Sequence, residues 1–91
     1  MYQITNYTLR KAQQLGVTVK PSTNSKKKID VYKNEQKVAS IGARGYGDYP
    51  TFLLSQGEKI ANEKRRLYKI RHNKDRHTVN TNGWYCDQLL W

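Results

Sequence analysis

The sequence predicts a small α+β domain, and three observations carry that reading. Residues 29–42, "IDVYKNEQKVASIG", alternate apolar and polar positions on both sides of a polar connection, as two strands of a hairpin do. Residues 5–15 and 51–72 instead repeat apolar side chains at helical spacing. Glycines and prolines (Gly16, Pro21, Gly42, Gly45, Gly47, Pro50) fall between these blocks, where chain reversals belong.

"TNYTLRKAQQL" is read as the first helix, with Thr5 or Asn6 as its cap and Tyr7, Leu9, Ala12 and Leu15 as an imperfect apolar stripe. Gly16 is its stop, because glycine accepts the left-handed conformation that closes a helix. "VTVKPSTNSKKK" opens as a strand-like fragment and passes into a polar linker rich in turn residues. The hairpin follows, and two strands are not stable alone, so the later helix is expected to cover them. "GARGYGDYP" is too glycine-rich for regular structure. Beyond it Asp48 or Thr51 caps a long basic helix, with Pro50 in its first turn and a break available at Gly57. Leu53, Ile60 and Leu67, with Leu54, Ala61 or Tyr68 beside them, are its expected buried stripe. "WYCDQLLW" closes the chain as a short helix or docked aromatic tail. The organisation expected is one domain over residues 1–91: a helix and basic linker in 1–28, and a hairpin–helix core in 29–91.

A chain of 91 residues with mean hydropathy −0.95 has a lean core, which the 11% aromatic content offsets. Seventeen Lys and Arg against seven Asp and Glu give a net charge of +10, a self-repulsion that a polyanion relieves. The apolar runs "FLL" and "QLLW" are far shorter than the roughly twenty residues of a membrane span. "MYQITNYTLRKAQ" holds no apolar core of signal-peptide length. Cys86 is the single cysteine, so no intrachain disulfide forms, and a reducing compartment fits.

The segment "EKRRLYKIRHNKDRH" concentrates cations against only Glu63 and Asp75. Phosphate neutralisation asks for cations at helical spacing, and arginine adds two-pronged geometry. Arg65, Arg66, Lys69, Arg71, Lys74 and Arg76 supply that pattern. Lys26, Lys27, Lys28 and Arg44 are further candidates for contact with an anionic partner. The bland alternative is a solvated helix face, and the scarcity of opposing acids weighs against it. "GARGYGDY" lacks the Lys-Ser/Thr pair of a phosphate loop. His72, Asp75 and His77 invite a nuclease or metal reading, but they lie among Lys74 and Arg76, which disfavour a bound cation. No nucleophile–base arrangement is legible, and Cys86 reads as a packed thiol. The expectation is a non-enzyme with no catalytic residue, metal or cofactor.

"KKIDVYKNEQKVASIGARGYGDYPTF", "ANEKRRLYKIRHNKDRH" and "GWYCDQLLW", with the start "YTLRKAQQLGV", resemble a family of small uncharacterised basic proteins of large nucleocytoplasmic DNA viruses of the kind that infect algae and amoebae. The resemblance supplies no activity. It implies a viral protein of the host cytoplasm, in the viral factory or packaged in the virion. "LRKAQQLGV" is also similar to the first helix of nucleic-acid-binding helix-extended-loop-helix modules, although no second such helix is evident.

Two functions follow as expectations. One is an accessory protein that binds nucleic acid, DNA ahead of RNA, through the basic helix. The other is a small minor capsid or cementing protein, whose cations meet acidic capsid proteins and whose aromatic tail anchors in a neighbour.

Overall fold

The structure is a computed structural model and describes residues 2–91. Its elements run α1 (Asn6–Leu15), β1 (Thr18–Pro21), β2 (Lys27–Lys33), β3 (Gln36–Ala43), α2 (Tyr49–Gln56), α3 (Glu58–Arg71) and α4 (Asn82–Leu90). The class is α+β, as expected: an antiparallel β1-β2-β3 sheet with four helices around it.

Both ends of α1 follow the sequence logic. Thr5 Oγ1 accepts the Thr8 N–H at 3.3 Å, and Gly16 closes the helix at φ 74°. The buried side differs from the expected stripe, because Thr8 and Ala12 are buried while Leu9 is 48% exposed. The Thr8 hydroxyl donates to the Leu89 carbonyl at 2.9 Å, and the Tyr7 hydroxyl donates to that of Trp91 at 3.2 Å. These two bonds tie α1 to the end of the chain.

The strand-like fragment after Gly16 is a true edge strand. Val19 faces Val31 and Pro21 faces Ile29 in the register. Proline is tolerated there because an edge position need not donate to a ladder. On the other side Ile29 pairs with Ile41 and Val31 with Ala39, with an irregularity between Val31 and Tyr32. The hairpin turn uses only part of the polar connection between the two alternating runs. Lys33 pairs with Gln36, so only Asn34 and Glu35 turn the chain, at φ 53° and 66°. Positive φ at both positions matches the twist of the strands, but it costs a residue that carries a Cβ. Glu35→Gly is therefore expected to stabilise the fold by up to about 1 kcal/mol. A higher urea midpoint with an unchanged slope would show it. A lower midpoint would contradict the turn.

The long basic helix is two helices. Asp48 caps α2 by accepting the Thr51 N–H at 3.0 Å, with Pro50 in the first turn. Gly57, at φ 88° and ψ 170°, ends α2 and starts α3. That break removes the expected heptad stripe: Leu53, Leu54, Ile60 and Leu67 are all exposed, Leu54 by 80%. Ala61 and Tyr68, seven residues apart, are what α3 buries. They join Ala12, Val19, Ile29, Val31, Ile41, Tyr85, Leu89 and Leu90 in one apolar cluster. The tail is a helix capped by Thr81, and Trp91 beyond it is buried, stacked on Tyr68 with ring centroids 4.3 Å apart. It is part of this chain's core, so the expected anchor in a neighbour's pocket is not free to leave.

Candidate nucleic-acid interface

Residues 62, 65, 66, 69 and 73 recur at helical spacing, which places them along one side of α3. In the structure Asn62, Arg65, Arg66, Lys69, Asn73 and Arg76 line an open groove of about 720 Å3. At 1.5 Å per residue the helical part of this row, from Asn62 to Lys69, extends about 10 Å.

Each cation is held by a neighbour. The Arg65 guanidinium carbon lies 3.5 Å above the Tyr49 ring, and its Nη2 donates to the Tyr7 hydroxyl at 3.2 Å. Tyr49 in turn donates to Asn62 Oδ1 at 3.1 Å. A guanidinium flat on an aromatic face keeps its charge and its outward donors. Lys69 Nζ lies 2.7 Å from Asp87 Oδ1, and Arg76 Nη1 lies 3.8 Å from Asp87 Oδ2. Asp87 is buried under them, so it aims both cations while exposing little negative charge. Arg66 pairs with Glu63 through two bonds of 2.6 and 3.1 Å. Both side chains are exposed, so water and salt screen that pair and a polyanion competes for the arginine easily. Hydrogen bonding from Arg66 lowers the Glu63 pKa, and the same contact raises that of Arg66. Two donors are left over. The Nε atoms of Arg65 and Arg76 are shielded from solvent and find no acceptor among the described residues.

The other expected contacts separate into distinct places. Lys26 and Arg44 are exposed and lie next to each other in space, the Arg44 N–H donating to the Lys26 carbonyl at 3.1 Å. Lys74 is exposed in the turn after α3. Lys27 and Arg71 line a second cavity. Lys28 does not belong to a partner surface at all. It is 6% exposed, and its ammonium is 2.9 Å from Asp48 Oδ2. Asp48 also accepts from Tyr2 at 2.8 Å. Burial works to raise the Asp48 pKa, but the bonds from Thr51 and Lys28 outweigh it and hold the carboxyl below its ordinary value. Tyr2 is pushed up by burial and by the charge of Asp48. Asp30 behaves like Asp48: Ser22 and Ser40 donate to it at 2.7 Å each, and they outweigh a burial that would raise its pKa.

Asp30, Asp48 and Asp87 are thus satisfied inside the fold, which leaves Glu35, Glu58, Glu63 and Asp75 as the exposed acids. The surface met by a partner is correspondingly more cationic than the composition alone conveys. His72 pairs with Asp75 at 3.4 Å and His77 with Asn73 at 3.3 Å. Among the described residues no group of three or more His, Cys, Asp or Glu is placed to hold a metal ion. Burial pushes the Cys86 thiol up, which makes it a poor nucleophile. Among the described residues no helix is long and apolar enough to cross a membrane.

Sequence reasoning found the groove's cations but not what positions them. Tyr7, Tyr49, Asn62, Asn73 and Asp87 were missed, and the 62/65/69/73 spacing was the available signal for the asparagines. A family of unknown function (DUF5754) matches residues 17–51. That span covers the sheet, the glycine loop and the start of α2, under half of the chain, and excludes the groove helix. No curated protein and no solved structure matches the chain.

Proposed function

We propose that the chain is a non-enzymatic nucleic-acid-binding protein whose α3 groove takes the phosphates of a bound strand. The observation that carries this reading is the groove itself: Arg65, Arg66 and Lys69 along one side of α3 and Arg76 beyond its end line one open concavity. Phosphate oxygens are acceptors of the right charge, and arginine matches them in two-pronged fashion. No base-reading geometry is implied, so binding is expected to depend on salt more than on sequence. In the viral setting that the sequence resemblance implies, the partner is the viral genome or its transcripts in the host cytoplasm. The test is a fluorescence-anisotropy titration of short DNA and RNA at low salt. Binding that disappears as salt is raised supports the proposal, and absence of binding at low salt removes it.

One observation favours a second reading, that of a minor capsid or cementing protein. Leu53, Leu54, Ile60 and Leu67 leave α2 and α3 with exposed apolar side chains, which suit a protein surface. Fractionation of virions separates the two: a nucleic-acid binder follows the genome, whereas a cementing protein follows the shell.

A further inference from the structure

The second cavity, about 530 Å3, lies where the end of β3, the glycine loop, the C-terminal end of α3 and α4 meet. Tyr68 stacks with Trp91 at 4.3 Å and with His72 at 4.4 Å. Two rings cannot occupy the same face of a third, so Tyr68 is sandwiched and His72 forms the outer end of a three-ring stack. The His72 side chain is 41% exposed, which leaves its other face open. Tyr46 lines the same cavity from the glycine loop and is 75% exposed. Its loop is fixed from below, since the buried Lys28 ammonium donates to both the Tyr46 carbonyl and Asp48. Lys27 and Arg71 also line the cavity, and neither has a carboxylate partner among the described residues.

The core accounts for Tyr68 and Trp91, which are buried, but not for the rest. An aromatic ring left in water, an open stacking face and two unpaired cations at one concavity do nothing for stability. Together they match a flat base joined to a phosphate. We propose that this cavity is a nucleotide site, in which a base stacks on the outer face of His72 beside Tyr46 and its phosphate meets Lys27 and Arg71. Asn82 and Asp75, also in the wall, offer a donor and an acceptor to the base edge. The Asp75 carboxylate, hydrogen-bonded to His72, repels a phosphate and so sets which end of the ligand lies beside it. The base–phosphate unit has two possible sources, a free nucleotide or one residue of a strand.

The experiment is an NMR amide titration of the full chain with adenosine monophosphate, adenosine, ribose phosphate and a short single-stranded oligonucleotide. Adenosine monophosphate is expected to shift the Tyr46, Gly47, His72 and Asn82 amides and to bind about tenfold more tightly than either half-ligand. His72→Ala and Arg71→Ala, both at accessible positions, are each expected to weaken it about tenfold, while Lys33→Ala, at an exposed position of the sheet outside both cavities, leaves it unchanged. An oligonucleotide that moves the same amides identifies a strand as the source, and one that moves only groove amides identifies the free nucleotide. Absence of shifts with millimolar adenosine monophosphate overturns the proposal. So does equal binding of ribose phosphate, or an unaffected His72→Ala variant. Neither Arg66 nor Lys69 lines this cavity, so such a failure leaves the groove proposal standing.

Discussion

Lys28→Ala is expected to destabilise the fold by about 3–5 kcal/mol, because it leaves a buried carboxylate without its counter-ion. Asp48 is fully buried and caps α2, so it cannot turn to water without giving up the Thr51 N–H. The glycine loop also loses an anchor, since Lys28 holds the Tyr46 carbonyl. Urea unfolding checks the magnitude, and the pH dependence checks the cause. In the native chain the folded pKa of Asp48 is depressed, so its stabilisation is complete above the unfolded value near pH 4 and lost as pH falls through the lower folded value. Without Lys28 the bonds from Thr51 remain, but burial is less fully offset and the folded pKa moves up. Protonated Asp48 needs no counter-ion, so the gap between the two proteins narrows in acid. A gap independent of pH would mean that the loss is one of packing and not of charge.

The second large effect belongs to the groove. Arg66→Ala combined with Lys69→Ala is expected to weaken nucleic-acid binding by about tenfold to a hundredfold at moderate salt. Arg76 remains to partner Asp87, so the fold should persist. Lys20→Ala with Lys33→Ala removes the same net charge from exposed positions of the sheet. That control should cost about threefold or less, as expected of charges that act only at long range. Equal losses in the two double variants would make binding a property of total charge and remove the groove from the account. Arg65→Lys adds a finer test, because it keeps the charge but loses the flat contact on Tyr49.

Much of the fold is legible in the residues, and the failures have physical reasons. Thr5 and Gly16 mark α1 because capping and left-handed closure are local chemistry. Gly57 is visible as a break, but its consequence is not. A single residue at φ 88° shifts the phase between α2 and α3, and Leu53 and Ile60 no longer share a buried face. The chain compensates with Ala61 and Tyr68 and with aromatic rings brought from α1, α2 and α4, none of which the periodicity of one segment can reveal. Lys28 misleads for a related reason. In a run of three lysines it looks like surface, yet alternation along β2 turns it onto Asp48, twenty residues away. The groove's cations are plain from the sequence. Their aim comes from tertiary partners, Tyr49 beneath Arg65 and Asp87 beneath Lys69 and Arg76.

The dependence of the binding constant on salt tests the central proposal most directly. With four groove cations on phosphates, the logarithm of the association constant for duplex DNA should fall against the logarithm of salt with a slope of about −3 to −4. Removal of Arg66 and Lys69 together should lessen that slope by about 2. A slope near zero, or one that the groove variant leaves unchanged, would contradict a phosphate-binding role for this face of α3.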